Sequence, residues 1–213
     1  MSKVVCIMGE SGSGKTTAMR NLPNNETFYI DCDGKGLSWR GWRKQYNAEN
    51  KNYLRTDKPD KVQSALSAIN SKQMQCKYVV VDTLNGIMVG DEMRRSKEKG
   101  YDKWVDLASS VFDIVNTANK LRDDLTVIFI AHSQTERDDS GYMFTRMKTN
   151  GKKLDKICLE SKLTSVLLAK CVDGKYVLET HSNNSTAKTP MGAFETDTVE
   201  NDVMLVLKAL EEY

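Results

Sequence analysis

Residues 9–16 read GESGSGKT, a complete G-x-x-x-x-G-K-[ST] loop set between the apolar run Val4-Val5-Cys6-Ile7-Met8 and a helix-competent stretch at 15–22. A strand must deliver the chain into such a loop and a helix must carry it away, so the motif constrains fold as strongly as chemistry. Phosphate oxygens are wrapped by backbone N–H groups, an approach that Gly9, Gly12 and Gly14 leave open. Glu10, Ser11, Ser13 and Thr17 complete the expected nucleotide-binding set. Lys15 is placed to reach the β- and γ-phosphates, and the Thr16 hydroxyl to bind Mg²⁺. The bland alternative is a Gly/Ser-rich turn between strand and helix. The strand-loop-helix context favours ATP and Mg²⁺ as cofactors and ATP hydrolysis as the activity.

Short β-branched or aromatic runs at 3–8, 27–32, 77–82 and 126–131 alternate with helix-competent stretches at 15–22, 60–71 and 102–121. That alternation predicts an α/β fold with a mainly parallel sheet flanked by helices. At 213 residues with only three prolines, a single domain with elaborated loops is expected. It divides into a nucleotide-binding core over 1–132, a mobile loop over 133–153, and a hairpin with a terminal helix over 154–213. The hairpin is signalled by alternating runs at 163–172 and 175–181 around Asp173-Gly174. Thr196 or Thr198 is the expected N-cap of the last helix, whose apolar stripe is Val199, Val203, Leu205, Val206 and Leu210.

Three polar residues at strand ends complete the candidate chemistry. Tyr78-Val79-Val80-Val81-Asp82 is an apolar strand ending in a carboxylate, suited to orienting the Mg²⁺ shell near Thr16, although such an Asp can also be a turn or cap. Asp33, at the end of the second strand, is the candidate base for water, with a turn-forming Asp-Gly pair as the alternative. His132 follows the fourth strand and is placed to sense the γ-phosphate, or else is simply hydrogen-bonded structure.

A net charge of +2 excludes a globally basic nucleic-acid binder, so any such role rests on local distribution. Three segments have it. One is the ring-and-cation run Trp39-Arg40-Gly41-Trp42-Arg43-Lys44-Gln45-Tyr46, which is suited to base stacking or to core packing. The others are Arg94, Arg95, Lys97 and Lys99, and then Arg146, Lys148, Lys152 and Lys153. Each of these two also reads as a solvated charged face. No run approaches the roughly 18 apolar residues of a membrane helix, and the N-terminus lacks an export pattern, so a cytoplasmic protein with no membrane partner is expected. Five cysteines without a C-x-x-C pair read as buried free thiols.

In this order the motifs resemble the RecA/RadA recombinase core, and more narrowly the small phage-encoded RecA-like ATPases of the Sak single-strand annealing group within the phage AAA-type nucleotide-binding family. Supporting pieces are Ala131-His132-Ser133, Gly151-Lys152-Lys153-Leu154 and the segment from Thr186 through Gly192. The resemblance implies phosphate and Mg²⁺ binding by Lys15 and Thr16, metal orientation by Asp82, and a sensor at His132. It further implies single-stranded DNA held by the loops after residues 84 and 133. Lys188, or a cation in 146–153, would act across a subunit boundary on a neighbour's γ-phosphate, within a filament or ring that recruits a single-stranded DNA-binding protein. Recombinases carry Glu where this chain has Asp33, one methylene shorter. A motor or loader ATPase in phage replication, and a small P-loop nucleotide kinase with 137–146 as its lid, are the alternatives.

Overall fold

The computed structural model describes residues 2–100, 102–149 and 158–213. The strands are β1 (Lys3–Gly9), β2 (Thr27–Asp31), β3 (Tyr53–Arg55), β4 (Tyr78–Asp82), β5 (Thr126–Arg137), β6 (Met143–Met147), β7 (Ser165–Val172), β8 (Lys175–Glu179) and β9 (Thr198–Glu200). The helices are α1 (Trp42–Gln45), α2 (Pro59–Lys72), α3 (Leu84–Arg94), α4 (Asp102–Ala118) and the C-terminal helix Val203–Ala209. Among the described residues the strands form a nine-stranded sheet in the order β3-β2-β4-β5-β1-β7-β8-β9, with β6 paired to the outer half of β5. Every pairing from β3 to β7 along that path is parallel, so β1 to β5 and β7 all point toward one rim.

Period-two alternation assigns each central strand to two cores. Val4, Cys6 and Met8 of β1, Val79 and Val81 of β4, and Val127, Phe129 and Ala131 of β5 join a cluster under α2, α3 and α4. Val5 and Ile7, Val80, and Ile128 and Ile130 face the other way and pack with the C-terminal helix and Met19. Fully burying an aliphatic side chain contributes ~1.5–3 kcal/mol, which makes these strands a rigid platform for whatever sits at their ends.

The four expected strands and the helices at 60–71 and 102–121 are present, with small boundary shifts. The Asp173-Gly174 hairpin also forms, with both residues at positive φ (50° and 76°), as a type I′ turn demands. The stretch 15–22 does not form a regular α-helix. It is a short 3₁₀ turn at Thr17–Asn21, ended by an extended Leu22 because the ring of Pro23 disfavours helical backbone in the residue before it. Residues 133–147, expected as part of a long loop, instead form the β5–β6 hairpin. Asp138 closes its tip by accepting from the backbone of Ser140 and Tyr142. Polar residues occupy both faces of that arm, so no apolar alternation announced it. The rest of the expected loop, with Lys152 and Lys153, lies outside the described residues.

Asp202 caps the C-terminal helix through Met204 N–H (3.0 Å), whereas Thr198 lies in β9 and neither expected threonine is the cap. Asp202 also accepts from Asn21, which ties this helix to the 3₁₀ turn. Cys6, Cys32 and Cys76 are buried free thiols as expected, but Cys158 and Cys171 are exposed. Among the described residues no helix is long and apolar enough to cross a membrane.

Removing the cap tests this packing. Asp202→Ala should lower stability by about 1 kcal/mol, read as a shift in urea midpoint at unchanged slope.

Candidate functional site

β1 ends at Gly9, and the loop that follows passes through Gly12 (φ 82°) and Gly14 (φ 90°), left-handed conformations that favour glycine. Lys15 is buried, with Nζ donating to the Glu10 carbonyl at 2.5 Å. Burial pulls its amine down to about 8, helped by Lys35, while Asp82, Asp33 and Glu10 oppose the fall. With only five residues in the 3₁₀ turn, phosphate binding here would depend on loop N–H groups and Lys15 more than on a helix dipole.

Asp82, 2% exposed, ends β4 beside this loop. Its Oδ2 accepts from the Thr16 hydroxyl at 2.8 Å and from the Tyr29 hydroxyl at 2.7 Å. Burial raises the carboxyl above its ordinary range, and these two hydrogen bonds resist the rise. Its Oδ1 is buried with no partner among the described residues. An orphaned carboxylate oxygen beside a threonine hydroxyl fits Mg²⁺, which takes few protein ligands and completes its shell with water and substrate phosphates. Among the described residues no group of three or more His, Cys, Asp and Glu could hold a metal by itself. Thr16 and Asp82 would hold the ion, and its charge would offset that of the triphosphate.

Asp33 follows β2 at the same rim. Its Oδ2 pairs with Lys35 at 2.5 Å and its Oδ1 accepts from Thr83 at 2.8 Å. Burial alone would raise this carboxyl, but those two bonds outweigh it and hold it below the usual value. Asp31, the preceding carboxylate, instead braces the loop by accepting from Gly34 N, Gly36 N and the Tyr53 hydroxyl. His132 pairs in register with Gly9, which sets it directly beside the phosphate loop. Burial and the cations Lys15, Lys35 and Lys148 lower its pKa against the pull of Asp33. Asn85, in the first turn of α3, accepts from His132 N at 2.7 Å and donates to Lys148 O at 2.9 Å, clamping the β5–β6 junction.

Lys15, Thr16, Lys35, Thr83 and His132 share a cavity of about 460 Å³ with Gly12 and Gly14. Lys188 is not among them within this chain. It is exposed and bridged to Val166, three residues before the Ala169 that faces Gly9.

The basic segments divide. α3 packs through Gly86 on Cys32 and Asp33 and through Gly90 on Asp57, so it runs along the rim and leaves Arg94 beyond β3. Arg94 is paired with Asp57 at 2.7 Å, and Arg95 with Glu98 and Asp106 at 2.8 and 3.1 Å. Arg146 pairs with Glu136, whereas Lys97, Lys99 and Lys148 are exposed. The ring-and-cation segment packs inward: Trp39 and Tyr46 sit edge-on to Tyr29, and Tyr46 is 1% exposed. Sequence reasoning missed Tyr29, Lys35, Thr83 and Asn85. Only Lys35 left a trace, standing two residues after a candidate carboxylate.

A protein-family profile described as an AAA domain matches residues 1–191. No curated protein matches the chain.

The lowered Lys15 amine carries a pH signature. Triphosphate stabilises the ammonium, so binding needs no proton uptake below about 8 and must take up a proton above it. ATP affinity should be level from the terminal phosphate's own ionisation, at about pH 6, up to the Lys15 value and then fall by as much as about ten-fold per pH unit. Titration calorimetry in buffers of different ionisation enthalpy reads the proton uptake directly, and affinity that climbs with alkalinity would contradict it.

Proposed function

From the premise that this chain belongs to the AAA domain family and is a P-loop ATPase, we propose that it is an ATP-dependent, homo-oligomeric single-stranded DNA-binding recombinase. It promotes annealing or strand exchange in phage DNA recombination. The observation that carries the reading is the course of β5: its inner half places His132 at the phosphate loop, and its outer half continues without a break into the β5–β6 arm. The Asn85 clamp joins that junction to the helix that follows Asp82. A change at the γ-phosphate has a short bonded route to the arm.

In this reading Lys15 and Thr16 hold the triphosphate and its metal, Asp82 orients the metal, and His132 senses the γ-phosphate. Asp33 aligns the attacking water. Its tie to Lys35 keeps it ionised but makes it a weak proton acceptor, so slow turnover follows unless DNA or a neighbouring subunit loosens the pair. Lys188, or a cation in 146–153, acts on the neighbour's phosphate. Lys97, Lys99 and Lys148 contact the DNA backbone, with Lys152 and Lys153 beyond them. Arg94 and Arg95 are held in ion pairs and serve mainly to fix α3 at the rim. Tyr142 at the tip of the arm, 51% exposed, offers a base a stacking face.

Hydrolysis measured alone, with single-stranded DNA, with duplex DNA and with nucleoside monophosphates tests the proposal. Single strands should stimulate turnover and duplex should not, and Lys15→Ala should abolish every signal. Phosphoryl transfer to a monophosphate would replace the proposal with a kinase. Lys97→Ala combined with Lys99→Ala should keep basal hydrolysis and reduce the log-log salt slope of DNA binding by about 0.7 for each phosphate that is no longer neutralised.

A further inference from the structure

The cavity at the phosphate loop extends past the groups a triphosphate needs. Beyond Thr17 and Ser38, whose hydroxyls meet at 2.8 Å, it is walled by Tyr176 of β8. Asp82 and His132 reach the loop from β4 and β5, whereas Tyr176 comes from β8, on the opposite side of β1. A nucleotide whose γ-phosphate lies toward Asp82 and His132 therefore extends its sugar and base toward β8.

One observation makes that end a built site. Tyr176 is 49% exposed, yet its ring is seated on the loop: Cδ1 lies 2.9 Å from the position a Cβ would take at Gly14. A large aromatic side chain with one edge anchored and much of its surface open is a preformed stacking surface. Across the sheet, the register Val177↔Glu200 sets the next residue, Asn201, opposite Tyr176. Asn201 is 4% exposed, its carbonyl accepts from Arg20, and its Nδ2 lies 3.1 Å from the same point at Gly14. That amide is buried with no acceptor among the described residues. Asn201 does not line the cavity; it packs against Gly14 next to the ring and braces that side of the loop.

We propose that Tyr176 forms the nucleobase subsite, with the base stacked on its ring. The subsite rests on the ATP-binding reading of the phosphate loop. Stacking is tolerant of base identity, so the tyrosine contributes affinity for purine nucleotides in general.

The test compares ATP, GTP and inorganic tripolyphosphate binding on the full chain. Tyr176→Ala should weaken ATP and GTP alike by roughly ten-fold or more and leave tripolyphosphate unchanged, and Tyr176→Phe should restore both nucleotides. Tyr176→Leu, which keeps apolar bulk against Gly14 without the π-face, should lose nucleotide as Ala does. Equal weakening of all three ligands would reduce Tyr176 to a prop for the loop and overturn the subsite, as would no effect on any of them. Lys15→Ala separates the two readings: it should weaken all three ligands, and if it does not, the phosphate site itself falls, whatever Tyr176 does.

Discussion

A carboxylate only 2% exposed must be neutralised, hydrogen-bonded or matched by a cation, and at the end of β4 hydrogen bonds meet part of that need. Asp82 takes hydroxyl bonds from Thr16 of the phosphate loop and Tyr29 of β2, and leaves Oδ1 without a partner among the described residues. Three separated segments are thereby drawn to one point. A divalent ion held by Thr16 and Asp82 would relieve the penalty of burying this charge. The strain is tolerable because Val79, Val80 and Val81 are fully buried and hold the strand from both faces.

Around that point the sheet order decides what can interact. β5 lies between β4 and β1, with Ile130 beside Asp82 and His132 beside Gly9. One strand therefore passes Asp82 and the phosphate loop before it leaves as an arm. On the other side of β1, the β7–β8 hairpin brings Tyr176 over Gly14, and the packing of the C-terminal helix on the 3₁₀ turn fixes Asn201 beneath it. Residues near the end of the chain thus pack against a loop near its start.

Much of this was legible in the sequence where the signal was local. The glycines and Lys15 of the loop, the apolar strand ending in Asp82, the Asp173-Gly174 turn and the amphipathic α4 each carry their signal within a few residues, by spacing, turn chemistry or period. The β5–β6 arm was not legible, because a strand with polar residues on both faces shows no alternation. α3 was missed as well: Gly86 and Gly90 look like helix breakers, yet they are what lets the helix lie close against Asp33 and Asp57. The aromatic run 39–46 read as a stacking surface or as core, and its rings turned inward because Tyr29 offered a buried partner.

By itself the sequence determined an alternating strand-and-helix core with a triphosphate loop at its first turn, since both properties are written in short-range patterns. Tertiary structure alone decided which polar side chains converge on that loop. Tyr29, Lys35, Thr83, Asn85 and Tyr176 reach it through strand order and register, which are non-local. It also decided that Arg94 and Arg95 would be held by Asp57, Glu98 and Asp106, because a charge run is the same in sequence whether or not the fold brings it a counter-ion.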